Sequence, residues 1–166
     1  PVSNKKEITG DAHHHCNDCC VLGDSLYVSM FSYTGNWKRD VFDGVVLEID
    51  LVSKNKLAPI IQGLYMPHNI SYLGGGIHVL DSLPGYLRKN NANIVGQFPA
   101  FTRGLDFDGV YYYIGQSRNR NFSKNIGITN NISIDTGIVV FDELTKVSRT
   151  FHLPSKLSEI HSIVLL

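Results

Sequence analysis

MPHNISYLGGGIHVLDS, residues Met66 to Ser82, is a β-hairpin written in residue types. Two short apolar runs, Ile70 to Leu73 and Ile77 to Leu80, flank three consecutive glycines. Glycine reaches the positive φ angles that a tight turn between antiparallel strands requires. Upstream, HHHCNDCCVLGDSLYVSMF (His13 to Phe31) has the same order: polar cluster, apolar run, Gly23-Asp24 turn, second apolar run. Downstream, FTRGLDFDGVYYYIGQS (Phe101 to Ser117) repeats it around Asp108-Gly109, and EIHSIVLL begins another copy at Glu159. Self-similarity in a fixed order is the mark of a repeat architecture.

Each hairpin is followed by two further strand-like runs. In the first unit these are GVVLEIDL (Gly44 to Leu51) and KLAPIIQGL (Lys56 to Leu64), where Pro59 suits an outer edge. In the second they are GYLRK and NIVGQF, and in the third GIVVFDEL and KVSRTFHL. No segment carries a sustained helical period. The reading is an all-β chain forming a β-propeller of four-stranded antiparallel blades. Blade one spans 13–64, blade two 65–98 and blade three 99–153, with 159–166 as the first strand of a further blade and 1–12 as a lead-in. A sandwich or another barrel is the runner-up. Propellers close with about four to eight blades, so three predict either a longer ring or closure against a second copy.

The 166 residues hold 15 Lys and Arg against 15 Asp and Glu, a formal net charge of zero. That gives no field for nucleic acid or an anionic membrane surface. No apolar run approaches the roughly 18 residues of a membrane span. The three cysteines, Cys16, Cys19 and Cys20, are an odd and crowded set. They make a poor disulfide framework and favour a reducing, cytoplasmic compartment. Cys16 and Cys19 form a C-x-x-C beside three histidines, but a structural zinc needs a second ligand pair, so small apolar strand residues are the plainer reading for Cys19 and Cys20.

In a propeller the first strand of each blade lines the central channel. The copies then bring His15-Cys16-Asn17-Asp18, Pro67-His68-Asn69, Thr102-Arg103-Gly104 and Glu159-Ile160-His161 to one mouth. His15, His68, Arg103 and Glu159 are the candidate catalytic residues. His15, His68 and Glu159 together have the chemistry of a site for one divalent metal ion, and Arg103 that of an anion clamp. Asn17, Trp37, Arg39, Asn69, Arg118, Arg120 and His161 are the candidate ligand-binding residues. The competing reading is that these side chains hold neighbouring blades together by hydrogen bonds. Asp50, Asp81 and Asp142 read as turn-makers, and Tyr111-Tyr112-Tyr113 as blade packing. No P-loop, nucleophile elbow, metalloprotease or calcium-loop motif occurs.

With these motifs in order, the chain resembles an uncharacterised β-propeller family, conserved but known only as a domain of unknown function. The resemblance covers roughly His15 to Leu165 and rests on His15, Asn17, Trp37, Arg39, Pro67, His68, Arg103, Gly104, Ser117, Arg118, Arg120 and Glu159. It departs at Asn69-Ile70, where Ser-Pro and then Arg is usual, and at His161, where an acidic residue is usual. The resemblance implies a propeller, with this chain as the C-terminal half, and no activity. A more distant likeness is to gluconolactonase-like and strictosidine-synthase-like six-bladed propellers. Together the readings predict a domain that binds a small polar or anionic molecule at the channel mouth, with metal-assisted hydrolase or lyase chemistry as the enzymatic form. The alternative is a non-catalytic protein- or glycan-binding or assembly module.

Overall fold

A computed structural model describes residues 13–91, 93–119 and 133–166. The expected lead-in, 1–12, and the candidate Arg120 lie outside the described residues. Among the described residues, twelve strands form three four-stranded antiparallel sheets in chain order. The first holds β1 (Cys16–Leu22), β2 (Ser25–Met30), β3 (Gly44–Asp50) and β4 (Lys56–Leu64). The second holds β5 (Pro67–Leu73), β6 (Gly76–Asp81), β7 (Tyr86–Lys89) and β8 (Asn93–Gln97). The third holds β9 (Phe101–Phe107), β10 (Tyr111–Ser117), β11 (Gly137–Asp142) and β12 (Ser148–His152). Each sheet is a plain meander, and the first strands β1, β5 and β9 lie against one another in succession. This is the arrangement of blades in a partial β-propeller, and no sheet among the described residues closes into a barrel. Among the described residues no helix is long and apolar enough to cross a membrane.

The turns follow the glycines. Gly74 and Gly75 take φ of 50° and 81°, the consecutive left-handed residues of a tight hairpin turn. The Asp50 carboxylate accepts hydrogen bonds from the amides of Val52 and Ser53, and Asp142 accepts from Leu144, so both cap turns as their sequence suggests. Asp81 does not. It is fully buried, accepts from the Tyr65 amide at 2.6 Å, and is held by the Arg88 guanidinium at 2.9 Å. It ends a strand in the middle of the protein, so it tethers the second blade to its own third strand and to the chain entering it.

Packing between blades explains why β6 is buried on both faces. One face contributes Ile77 and Val79 to a cluster with Val46, Ile61, Leu64 and Ile70 of the first two sheets. The other face contributes Leu80 to a cluster with Leu87, Val95, Phe98, Leu105, Tyr112, Ile114, Val139 and Phe141 of the second and third. Every residue of β6 is buried. Burying a Leu or Ile side chain stabilises a fold by about 1.5–3 kcal/mol, so these two seams dominate. A polar link crosses the second seam. The ring of His78, wholly buried, places Nε2 2.9 Å from Tyr112 Oη, and Tyr112 donates to Glu143 at 3.2 Å.

The first strands share no ladder with each other, so side chains make the joins. All three carry a β-bulge at the same place: the pairing skips Asn17 in β1, Asn69 in β5 and Gly104 in β9. At two of these bulges the side chain reaches the next blade. Asn17 Nδ2 donates to the Pro67 carbonyl at 3.1 Å, and Asn69 Oδ1 accepts from the Leu105 amide at 3.0 Å. At the third, a Cβ on Gly104 would meet the Ser162 backbone at 2.9 Å, and Asp106 Oδ2 accepts from the Leu165 amide at 2.7 Å instead. The segment 159–166 runs beside β9 and pairs in no ladder among the described residues.

Replacing Asn69 by Gly keeps its left-handed backbone (φ 52°) accessible and removes the join to Leu105. An unsatisfied amide there is expected to lower stability by about 1–3 kcal/mol in urea unfolding. An unchanged midpoint would show that the bulge side chains do not hold the blades.

Candidate functional site

Bulges re-aim the side chains beside them. Aligned on the skipped residue, the equivalent positions are Cys16, His68 and Arg103, so His15 sits one place earlier than its repeat partners. It reaches the same space because its own φ is 53°, one of the non-glycine left-handed residues of the chain. Cys16, at the equivalent station, is exposed.

These turns converge on a cavity of about 170 Å³ lined by His15, Phe31, Trp37, Met66, His68, Phe101, Arg103, Ser117, Arg118 and Glu159. Six of the sequence candidates are brought together there: His15, Trp37, His68, Arg103, Arg118 and Glu159. One wall is aromatic. The His15 ring lies 4.1 Å from Phe31 and 4.5 Å from Trp37, and the His68 ring meets Phe31 and Phe101 edge-on at 5.3 Å each. Trp37 is set by a 3₁₀ turn (Trp37–Arg39) that ends in left-handed Asp40, whose amide donates to the Trp37 carbonyl at 2.9 Å. The opposite wall is ionic. Arg103 Nη1 donates to Glu159 Oε2 at 3.1 Å, and His161 Nε2 lies 2.9 Å from the same oxygen.

His68 is buried, at 6 % exposure. Its Nδ1 lies 2.9 Å from the Met66 carbonyl and 2.8 Å from Ser82 Oγ. The Ser82 hydroxyl donates to the Thr102 carbonyl at 2.6 Å, so it offers His68 a lone pair. A carbonyl also only accepts. Both partners therefore require a proton on Nδ1, which leaves Nε2 as a bare acceptor. Burial, and then the Arg103 charge, pull this imidazole down to a pKa of about 3, so it is neutral throughout the physiological range. His15 is lowered by the same two causes in the same order.

Four candidates fall elsewhere, and Arg120 is undescribed. Asn17 and Asn69 join blades. Arg39 is exposed and donates to Asn36 Oδ1 at 3.4 Å. His161 is exposed and touches the cavity only through Glu159. His15, His68 and Glu159 share the cavity, but among the described residues no group of three or more His, Cys, Asp or Glu is arranged to hold a metal ion. Glu159 is engaged by Arg103 and His161, and His15 is packed between two aromatic rings, so the expected ion has no donor set in this geometry. The C-x-x-C carries none either: Cys16 and Cys19 are exposed, Cys20 is partly buried, and all three thiols are free. Sequence reasoning missed Phe31, Met66, Phe101 and Ser82. The one signal for Ser82 was its place at the end of the quoted hairpin.

Ser117 anchors the ionic wall. Its Oγ accepts from the Ile160 amide at 3.0 Å and donates to the Ile160 carbonyl at 3.1 Å. Arg118 adds its amide to the Ser158 carbonyl and its Nη2 to the Ser155 carbonyl. Together they hold the segment that carries Glu159 against the cavity.

The lowered His68 pKa has a sign for stability. The unfolded chain binds this proton below about 6.5 and the folded chain only below about 3, so stability is lost as pH falls between those values. Asp81 acts oppositely: burial raises it to about 6, so the folded state takes up its proton first and stability rises as pH falls from about 6 toward 3.8. Comparing variants isolates His68. His68→Asn keeps a donor near Nδ1 and removes the titration. Between pH 6.5 and 4.5 the wild type should lose about 2–3 kcal/mol more than this variant, from roughly 1.36 kcal/mol per pKa unit. Equal losses in urea unfolding at both pH values would refute the buried neutral imidazole.

No curated protein and no solved structure matches the chain. A family model described as a domain of unknown function, DUF4915, matches residues 5–166. With the match spanning nearly the whole sequence, the chain belongs to the DUF4915 family.

Proposed function

We propose that this domain binds a small polar ligand in the cavity between the aromatic wall and the Arg103–Glu159 pair. The observation that carries the reading is the bare Nε2 of His68, fixed as an acceptor by Met66 and Ser82 and placed in a cavity with Arg103 and Glu159. A concavity in which a few polar groups converge is a usual setting for a small-molecule site. Catalysis is the weaker use of the same residues. A general base works best with a pKa near the operating pH, and an imidazole near 3 has little basicity to offer at neutrality. As a hydrogen-bond acceptor it is dependable, because it does not switch charge.

The test is affinity capture. The purified chain is incubated with a mixture of small polar metabolites, separated by gel filtration, and the retained molecules are identified by mass spectrometry. Wild type should retain at least one compound, and Trp37→Ala should lose about 10-fold in affinity, the equivalent of 1.4 kcal/mol, by removing the stacking wall. Equal retention by both proteins would place any binding outside this cavity.

A further inference from the structure

We propose that Cys16 and Cys19 are a site of reversible oxidation, closing a disulfide across the bulge of β1 whose state is felt at the cavity through His15. The sequence places the two cysteines three residues apart. In a regular strand that spacing puts side chains on opposite faces and about 10 Å apart. The bulge removes both obstacles. The ladder runs Cys16 to Met30, Asp18 to Ser29 and Cys19 to Val28, so Asn17 is skipped. Directly paired residues share a face, and Met30 and Val28 stand two apart on β2, so Cys16 and Cys19 emerge on one face. Two ladder steps span about 6.6 Å between Cα atoms, inside the roughly 4.4–6.8 Å that a disulfide bridges. Asn17, tied to the Pro67 carbonyl of the next blade, holds the bulge in place.

Access and chemistry agree. Both thiols are exposed and free. Cys20 is kept out of the pair on two counts. It pairs with Tyr27 on the opposite face and packs against the cluster between the first and second sheets. Burial, then the Asp18 and Cys19 charges, also push its thiol up from the ordinary value, which depletes the reactive thiolate. With hydrogen peroxide as oxidant, one thiolate attacks a peroxide oxygen, the O–O bond breaks and hydroxide leaves, giving a sulfenic acid. The second thiol attacks that sulfur, the S–S bond forms and water leaves. In all, the two thiols give up two electrons and two protons, and the peroxide becomes two waters. Exchange with a dithiol reductant reverses the step. Cys16 lies between two residues that matter elsewhere. His15, on its left-handed backbone, carries its ring to 4.5 Å from Trp37, and Asn17 joins the second blade. A bond that draws Cys16 toward Cys19 acts on both.

The sole tryptophan of the chain lines the cavity, so its fluorescence reports on His15 beside it. The full chain, reduced, desalted and dilute, is treated with hydrogen peroxide. Remaining thiols are blocked with iodoacetamide in urea, and the chain is cleaved before Asp18 to separate Cys16 from Cys19. Mass spectrometry should find these two peptides joined in most chains, with Cys20 alkylated and the link undone by dithiothreitol. Trp37 emission should change on oxidation, return on reduction, and stay constant in Cys16→Ser and Cys19→Ser. A link between Cys19 and Cys20, links between chains only, or thiols oxidised without joining would overturn the site. A joined pair with unchanged emission, or an emission change that persists in Cys16→Ser, would overturn its coupling to His15.

Discussion

Three sheets that share no ladder face one constraint where their first strands meet. Those strands pack side by side without exchanging backbone hydrogen bonds, so polar backbone groups near the axis must be satisfied some other way or cost stability. The chain solves this with a bulge in each first strand and a short polar side chain reaching across: Asn17 to Pro67, Asn69 to Leu105, Asp106 to Leu165. Everything at the mouth depends on this. The bulge turns His68 and Arg103 away from the regular alternation, and the joins hold successive blades at the spacing that brings those two side chains to one cavity.

The same device makes the histidine useful. Met66 precedes β5 with φ of 58°, a left-handed turn that presents its carbonyl to His68 Nδ1. Ser82 and Thr102, from the end of β6 and from β9, complete the chain of hydrogen bonds. Two blades thus cooperate to fix one tautomer, while Phe31 and Phe101 exclude water from its flanks. The affinity of such a site depends on pre-organisation more than on area, since a rigid acceptor has little ordering left to lose on binding.

The architecture was legible in the sequence because hairpins are local. Gly74-Gly75, Gly23 and Asp108-Gly109 mark their turns by conformational need, and the flanking apolar runs have no other use. The observed strands match the sequence reading closely, with β5 and β9 starting a few residues earlier at Pro67 and Phe101. The site was half legible. His68, Arg103 and Glu159 could be placed from repeat alignment alone, but alignment could not tell which polar residue faces the cavity and which faces the neighbouring blade. Asn17 and Asn69 took the second role because a bulge reverses the side on which a residue emerges, and bulges leave no mark on hydrophobic period. Asp81 resisted for another reason. An Asp at a strand end looks like a turn, and only the distant partners Tyr65 and Arg88 show it to be buried structure.

The anchoring of 159–166 has a consequence for how the cavity lives in time. Strands β1 to β12 are held by ladders that break only cooperatively, whereas this segment is tied by the Ser117 hydroxyl, the Arg118 contacts, the Arg103–Glu159 pair and the Asp106 carboxylate. Segments outside the ladders can open at free energies below that of global unfolding. Such a sub-global opening would carry Glu159 and His161 away together while His68, Trp37 and Phe101 stay in place. The cavity thus joins an aromatic cup built on the strands to an ionic rim supplied in part by a segment outside the ladders.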